Sequence, residues 1–258
     1  MSGTVARSLG ALGDALGGTA NVNFDAGTLF IDGTNNNVGI GTTSPGYALD
    51  ILNSTAAVVR MAANTTSGYG FYQIGRSSTA TNNWHMGSEG DGTFRFYNGN
   101  WGAGTERMRI DASGRITMPF QPAFHAFGGS VVSVSISNYI LALGSTLTNR
   151  GSHYNTSTFR FTAPVAGMYM FAHRVTWGSN GSGVSVFQAL NGSAFGGGTG
   201  VTEVFGYTSA GGYNTTSASV SFISLNANDF VDLRSSIYNS SAQSLDLSRC
   251  SFSGYLIG

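Results

Sequence analysis

The side chains that most often do chemistry are few in this sequence and far apart. The four histidines, His85, His125, His153 and His173, show no H-x-x-x-H spacing and no cysteine beside them, the patterns that let one chain hold zinc. Glu89 and Asp91 come nearest to the carboxylate pair of a glycosidase, whose groups must stand about 5 to 9.5 Å apart. They flank Gly90 and precede Gly92, and so read as a solvated turn. Gly39-Ile40-Gly41 begins like a dinucleotide fingerprint but lacks its third glycine and a following helix, which makes it a tight turn. There is no G-x-S-x-G elbow, and Cys250, the only thiol, has no evident base beside it and reads as a small buried hydrophobe. Asp229, in the turn 226–229, is expected to hydrogen-bond its own backbone. These residues predict no catalytic centre, no cofactor and no metal site, and leave recognition to surfaces.

Composition says what kind of surfaces. Of 258 residues 38 are glycine and only 9% are charged, against roughly 25% in ordinary globular chains. The 12 basic residues are all arginine and are cancelled by 12 acidic ones, so no polyanion-binding face is signalled and nucleic acid is not an expected partner. An aromatic content of 12% is too high for a disordered Gly/Ser chain. No apolar run approaches the ~18 residues of a membrane span, and the first residues lack a secretion signal, so neither insertion nor export is expected.

Three regions follow from the patterning. In residues 1–20, Val5, Leu9, Leu12 and Leu16 fall on one seam at spacings of four, three and four, which predicts a short helix that needs a partner, either copies of itself or a socket on a larger particle. Residues 21–118 carry short strand-like bursts punctuated by Asp32-Gly33, Asn35-Asn36-Asn37, Asp91-Gly92 and Ser113-Gly114, the pattern of a β-rich shaft. Pro119 and Pro122 stiffen the chain and mark a boundary. In residues 119–258 the strands lengthen. Tyr169, Phe171, His173, Val175 and Trp177 share one face there, which predicts an all-β sandwich.

Two resemblances extend this reading. Residues 35–51, NNNVGIGTTSPGYALDI, with 106–119, ERMRIDASGRITMP, resemble shaft segments of bacteriophage tail fibres and related trimeric fibres. Residues 122–258 resemble the globular head of the first complement component and its tumour-necrosis-factor-like relatives. The likeness rests on Phe161, Pro164, Gly167, Tyr169 and Phe171, on Asn191-Gly192, on Leu225, Asp229, Val231 and Leu233, and on Phe252, Gly254 and Tyr255. The resemblance implies a ten-stranded jelly roll that forms tight trimers. The collagen-like stalk of the complement proteins is absent, so a β shaft takes its place.

Phe252, Gly254 and Leu256 alternate on one face of the last strand, and a glycine inside a strand marks close approach by other groups, which makes these three the candidate trimer core. If that strand runs back toward the shaft, strand reversal puts residues 177–183, 207–217 and 239–248 at the far tip and 191–200 at the shaft end. Tip loops rich in Tyr, Ser, Asn and Gly suit recognition, as in antibody combining sites. Trp177, Asn180, Tyr213, Asn214 and Gln243 are the candidate receptor contacts, although the parity of Trp177 also lets it cap the core, and Phe205 and Tyr207 are expected to pack within a strand.

The expectation is a homotrimeric tail fibre, attached to other virion proteins by its N-terminus and binding a host-surface glycan or protein by its head. It would be assembled in the host cytoplasm and carried on the virion. A head fibre or capsid decoration protein is the alternative within viruses. A tailspike depolymerase with an intersubunit site built from residues such as Asp91, Glu106 or Glu203 is the enzymatic one, and a bacterial surface or spore-coat filament a third.

Overall fold

The computed structural model describes residues 21–24, 27–57, 59, 70–74, 83–99, 104–178, 183–194, 203–205, 216–238 and 243–258. The helix expected over Val5, Leu9, Leu12 and Leu16 lies outside the described residues. The chain divides into two compact units, residues 1–70 and 71–258.

In the first unit, β1 (Val22–Phe24), β2 (Leu29–Asp32), β3 (Asn37–Ile40) and β4 (Leu49–Ile51) form one sheet in chain order, antiparallel except for the β3–β4 pair. The β2–β3 turn closes because the Asp32 carboxylate accepts from the backbone N–H groups of Thr34 and Asn35, and the Asn35 side-chain bond, with these, holds that carboxyl below its ordinary range. Gly41 is required on two counts: its φ is +77°, and a Cβ there would lie 2.0 Å from the Leu52 carbonyl oxygen. The would-be dinucleotide fingerprint is thus a close backbone crossing.

The second unit begins with a meander of β5 (Gly70–Ile74), β6 (Trp84–Ser88), β7 (Phe94–Asn98), β8 (Thr105–Ile110) and β9 (Ile116–Thr117). Asp111 clasps the β8–β9 turn as Asp32 does its own, accepting from the N–H groups of Ser113 and Arg115. There follow β10 (Ala123–Phe127), β11 (Val131–Val134), β12 (Ser145–Arg150), β13 (Tyr154–Asn155), β14 (Arg160–Thr162), β15 (Gly167–Thr176), β16 (Val184–Leu190), β17 (Ser193–Ala194), β18 (Val204–Phe205), β19 (Thr216–Leu225), β20 (Phe230–Ile237), β21 (Gln243–Asp246) and β22 (Ser251–Leu256).

These strands build a jelly roll. One sheet has the order β12-β10-β22-β15-β19 and the other β13-β14-β20-β16-β17, with β18 sharing the edge of β16 that β17 occupies. β17 and β18 together occupy the place of a tenth strand, and β11 pairs with β21 as an addition at one end. Between the sheets Phe124 stacks on Phe161 and Tyr154, and Phe171 on Phe252, with Tyr169, Val231 and Leu233 completing a core that is sealed from water. Burial of this many aromatic and aliphatic side chains is what holds two sheets together.

That core corrects one expectation. Phe252, Gly254 and Leu256 do alternate on one face of β22, but the face points into the protomer's own sandwich. A Cβ on Gly254 would lie 2.4 Å from the Phe124 ring and 2.7 Å from the Phe171 ring, so the close approach comes from the same chain and not from a neighbour on an axis. The outward residues of β22 are Ser251, Ser253 and Tyr255.

Candidate functional site

Each sheet outside the core exposes one apolar face. In the β1–β4 sheet the register aligns Val22 with Ile31, Ile31 with Val38, Val38 with Leu49, Phe24 with Leu29, and Ile40 with Ile51, all on one side. Phe24, Leu29, Ile40 and Leu49 of this set are exposed, whereas the opposite side carries Asn23, Asp32, Asn37 and Asp50 around a buried Phe30. The β5–β9 sheet repeats the division. Trp84, Met86, Phe94, Phe96, Met108, Ile110 and Ile116 lie on one side, and His85, Arg95, Tyr97, Glu106, Arg109 and Thr117 on the other. A single layer with one greasy face does not bury enough surface to be stable alone in water.

The jelly roll does the same on the outside of its first sheet. Register places Arg150, Ala123, Tyr255, Met170 and Phe222 in one row and Thr148, His125, Ser253, Ala172 and Val220 in the next. Phe222 is 61% exposed and Val220 56%, and a hollow of about 310 Å³ lies among Ala123, His125, Met170, Ser253 and Tyr255. Large apolar side chains this open on a strand next to a free sheet edge mark a surface made for contact.

Strand direction also defines the two ends of the jelly roll. The Leu256 N–H donates to the Pro122 carbonyl, Met168 N–H to that of Gly258, and Asn191 N–H to that of Phe230, so these lie at the end where the chain arrives from β9. The chain leaves β15 and β20, and enters β16 and β19, at the opposite end. Asp229 stands at the arrival end, where it accepts from the Asn191 side chain and the Asn226 N–H, both at 2.8 Å; these bonds, the Asn191 one foremost, hold its carboxyl below the ordinary range. It holds its own turn and ties that turn to the end of β16.

At the far end the candidate receptor contacts separate. Trp177 is 0% exposed and bridges to Leu245, so it belongs to the core. Gln243 is buried as well, because residues 243–246 form β21 against β11 and are not open loop. Asn180, Tyr213 and Asn214 lie outside the described residues. The exposed aromatic pair is one that pattern reading passed over. Phe205 is 43% and Tyr238 61% exposed, with ring centroids 5.7 Å apart, and the Tyr238 hydroxyl donates to Glu203 at 2.7 Å. Glu203 also accepts from Ser185 Oγ. Phe205, expected to pack within a strand, does lie in β18, but at the sheet edge its ring stays exposed; Tyr207, expected to do the same, lies outside the described residues. The signal available in the sequence was only an aromatic next to a glycine-rich stretch.

The groups capable of chemistry are structurally engaged. Glu89 and Asp91 both pair with Arg95, whose third carboxylate is Glu106 at 3.5 Å, and Tyr97 donates to Glu89 at 2.9 Å. His125 shares a 2.8 Å hydrogen bond with Ser253. His173 is buried, accepts at Nδ1 from the Gln188 amide at 3.0 Å, and Gln188 in turn accepts from Ser221. Cys250 is buried and its thiol is pushed up to about 11 by burial. Among the described residues no group of three or more His, Cys, Asp or Glu side chains is placed to hold a metal ion, and no helix is long and apolar enough to cross a membrane.

Two sheets in jelly-roll order, with an aromatic core and an apolar outer face, define a class of β-sandwich head. Residues 123–257 match the model of the C1q domain, and the chain belongs to that family. Among solved structures it is similar to the globular domain of the zebrafish complement 1qA protein, at 15% identity over 54% of this chain and 98% of that one, with a TM-score of 0.40. It is also similar to the Eiger TNF of S. frugiperda, at 12% identity over 54% of this chain and 93% of that one, TM-score 0.41. Murine APRIL is a third, at 12% identity over 53% and 99%, TM-score 0.39. No curated protein sequence matches the chain.

Proposed function

We propose that this protein is a homotrimeric bacteriophage tail fibre whose C1q-type head binds a glycan or protein on the host surface. The observation that carries the reading is the run of uncovered apolar faces: the two shaft sheets and the outer face of β10, β15, β19 and β22 each leave greasy side chains exposed in one chain. Three copies about one axis cover faces of this kind, in the head chiefly at Val220 and Phe222 of β19. The tail-fibre likeness of residues 35–51 and 106–119 favours a virion shaft, with residues 1–20 as the attachment segment.

The mechanism is binding and not turnover. The far end of the head offers Phe205 and Tyr238 as a pair of exposed, mutually tilted rings beside the Glu203 carboxylate. Such a patch stacks on a sugar face or a side chain while the carboxylate accepts hydroxyl or N–H hydrogen bonds. Three such patches on one rigid support raise weak single contacts by avidity. Sedimentation of the full chain tests the assembly: a particle of three 26.8 kDa chains is expected, and a stable folded monomer rejects it. Adsorption of the full chain to host cells tests recognition, with Tyr238→Ala expected to lower it at least tenfold while the assembly stays intact.

A further inference from the structure

The geometry points to a second ligand site, a cleft between β8–β9 and the start of the jelly roll that binds the carboxylate of an acidic saccharide. The cleft holds about 600 Å³, the scale of a small-molecule pocket, and it is lined by Arg109, Ile116, Thr117, Gln121, Arg150 and Tyr255 among others, with no carboxylate in its wall. Two arginines therefore line one hollow. Among the described residues Arg150 has no carboxylate partner, and it makes a long bond, 3.5 Å, to the Met118 carbonyl. Arg109 reaches Glu106 at 3.5 Å, but Glu106 stands at the same distance from Arg95. Like charges facing one cavity favour an anion between them, and the planar guanidinium fork matches a carboxylate.

The rest of the wall selects a sugar over a bare ion. The Tyr255 ring is 43% exposed and offers an apolar plane, extended by Pro119, against which the C–H face of a pyranose packs. Gln121 donates through Nε2 to the Leu256 carbonyl at 2.9 Å, which leaves its side-chain oxygen to accept from a sugar hydroxyl. The Thr117 hydroxyl, which accepts from Arg109 Nε at 3.4 Å, retains its own proton to donate. Arg109 and Thr117 stand on the charged side of the β5–β9 sheet, the side the proposed assembly leaves in solvent. The site is separate from the far-end aromatic patch and needs neither that patch nor a host.

Calorimetric titration of the full chain with trigalacturonate, maltotriose and inorganic phosphate tests it. Trigalacturonate is expected to bind, maltotriose and phosphate to bind at least tenfold more weakly, and Arg150→Gln to weaken trigalacturonate at least tenfold with the fold and assembly unchanged. Arg109→Gln should act in the same direction, and raised salt should weaken binding. No binding at millimolar trigalacturonate, equal binding of maltotriose or of phosphate, or an Arg150→Gln protein that binds like the parent overturns the proposal. Host adsorption is measured apart from this: adsorption without trigalacturonate binding rejects the cleft and leaves the fibre reading, and trigalacturonate binding without adsorption upholds the cleft and rejects host recognition.

Discussion

Acid should unfold the head through His173. The ring is 2% exposed in the sandwich, and burial drives its pKa from 6.5 down to about 4. Gln188 donates to Nδ1, so the neutral ring carries its proton on Nε2, and a second proton would have to enter at Nδ1 against an N–H donor. The unfolded chain binds a proton near 6.5 while the folded one resists until about 4, so stability is whole above pH 6.5 and declines as pH falls between those values. At about 1.4 kcal/mol per pH unit the loss is roughly 3 kcal/mol per chain by pH 4, a large part of the 5–15 kcal/mol by which domains are stable. Urea unfolding from pH 7.5 to 4, followed by tryptophan fluorescence, measures it. His173→Gln, which does not titrate, is less stable at neutral pH but should lose about 3 kcal/mol less than the parent across that interval. Equal pH slopes for the two proteins, or a His173 resonance that titrates near 6.5 in the folded chain, refute the reasoning.

Three further outcomes follow from the packing. Gly254→Ala forces a methyl into the Phe124 and Phe171 rings and should cost about 1–3 kcal/mol or more, read as a lower thermal midpoint. Asp232→Ala removes a fully buried carboxylate from between Arg160 at 3.0 Å and Arg234 at 2.8 Å; stranding the cations should cost about 3–5 kcal/mol in urea unfolding. Phe222→Asp alters an exposed side chain on an outer face, so the chain should keep its far-ultraviolet circular dichroism yet sediment as a smaller species; an unchanged sedimentation coefficient excludes that face from the assembly.

Much of the architecture was legible in residue order because it rests on local rules. Period-two alternation from Tyr169 to Trp177 marked a half-buried strand, and β15 buries that set. Asp-Gly and Ser-Gly pairs marked hairpins that close through side-chain carboxylates such as Asp111. Reversal of successive strands put Asn191 at the arrival end, and the structure adds Asp229 beside it. The candidate site was less legible. Alternation separates the two faces of a strand but does not say which looks inward, and for β22 the apolar set Phe252, Gly254 and Leu256 faces the protomer's own core.

Long-range pairing settled the remainder, since burial depends on what lies across the sandwich and not on neighbours in the chain. Gln243 is hidden because β21 meets β11, more than a hundred residues away. Trp177 is hidden because Leu245 arrives beside it. Phe205 and Tyr238 are 33 residues apart and come together only because β18 and β20 flank the same strand, β16. Arg109 and Arg150 likewise line one cleft only because the chain turns at Pro119 and Pro122 into a sheet whose edge is β12. Residue types and their spacing specify strands, turns and a family of sandwich, while the choice of buried face and the gathering of distant side chains into one surface are properties of the packed sheets.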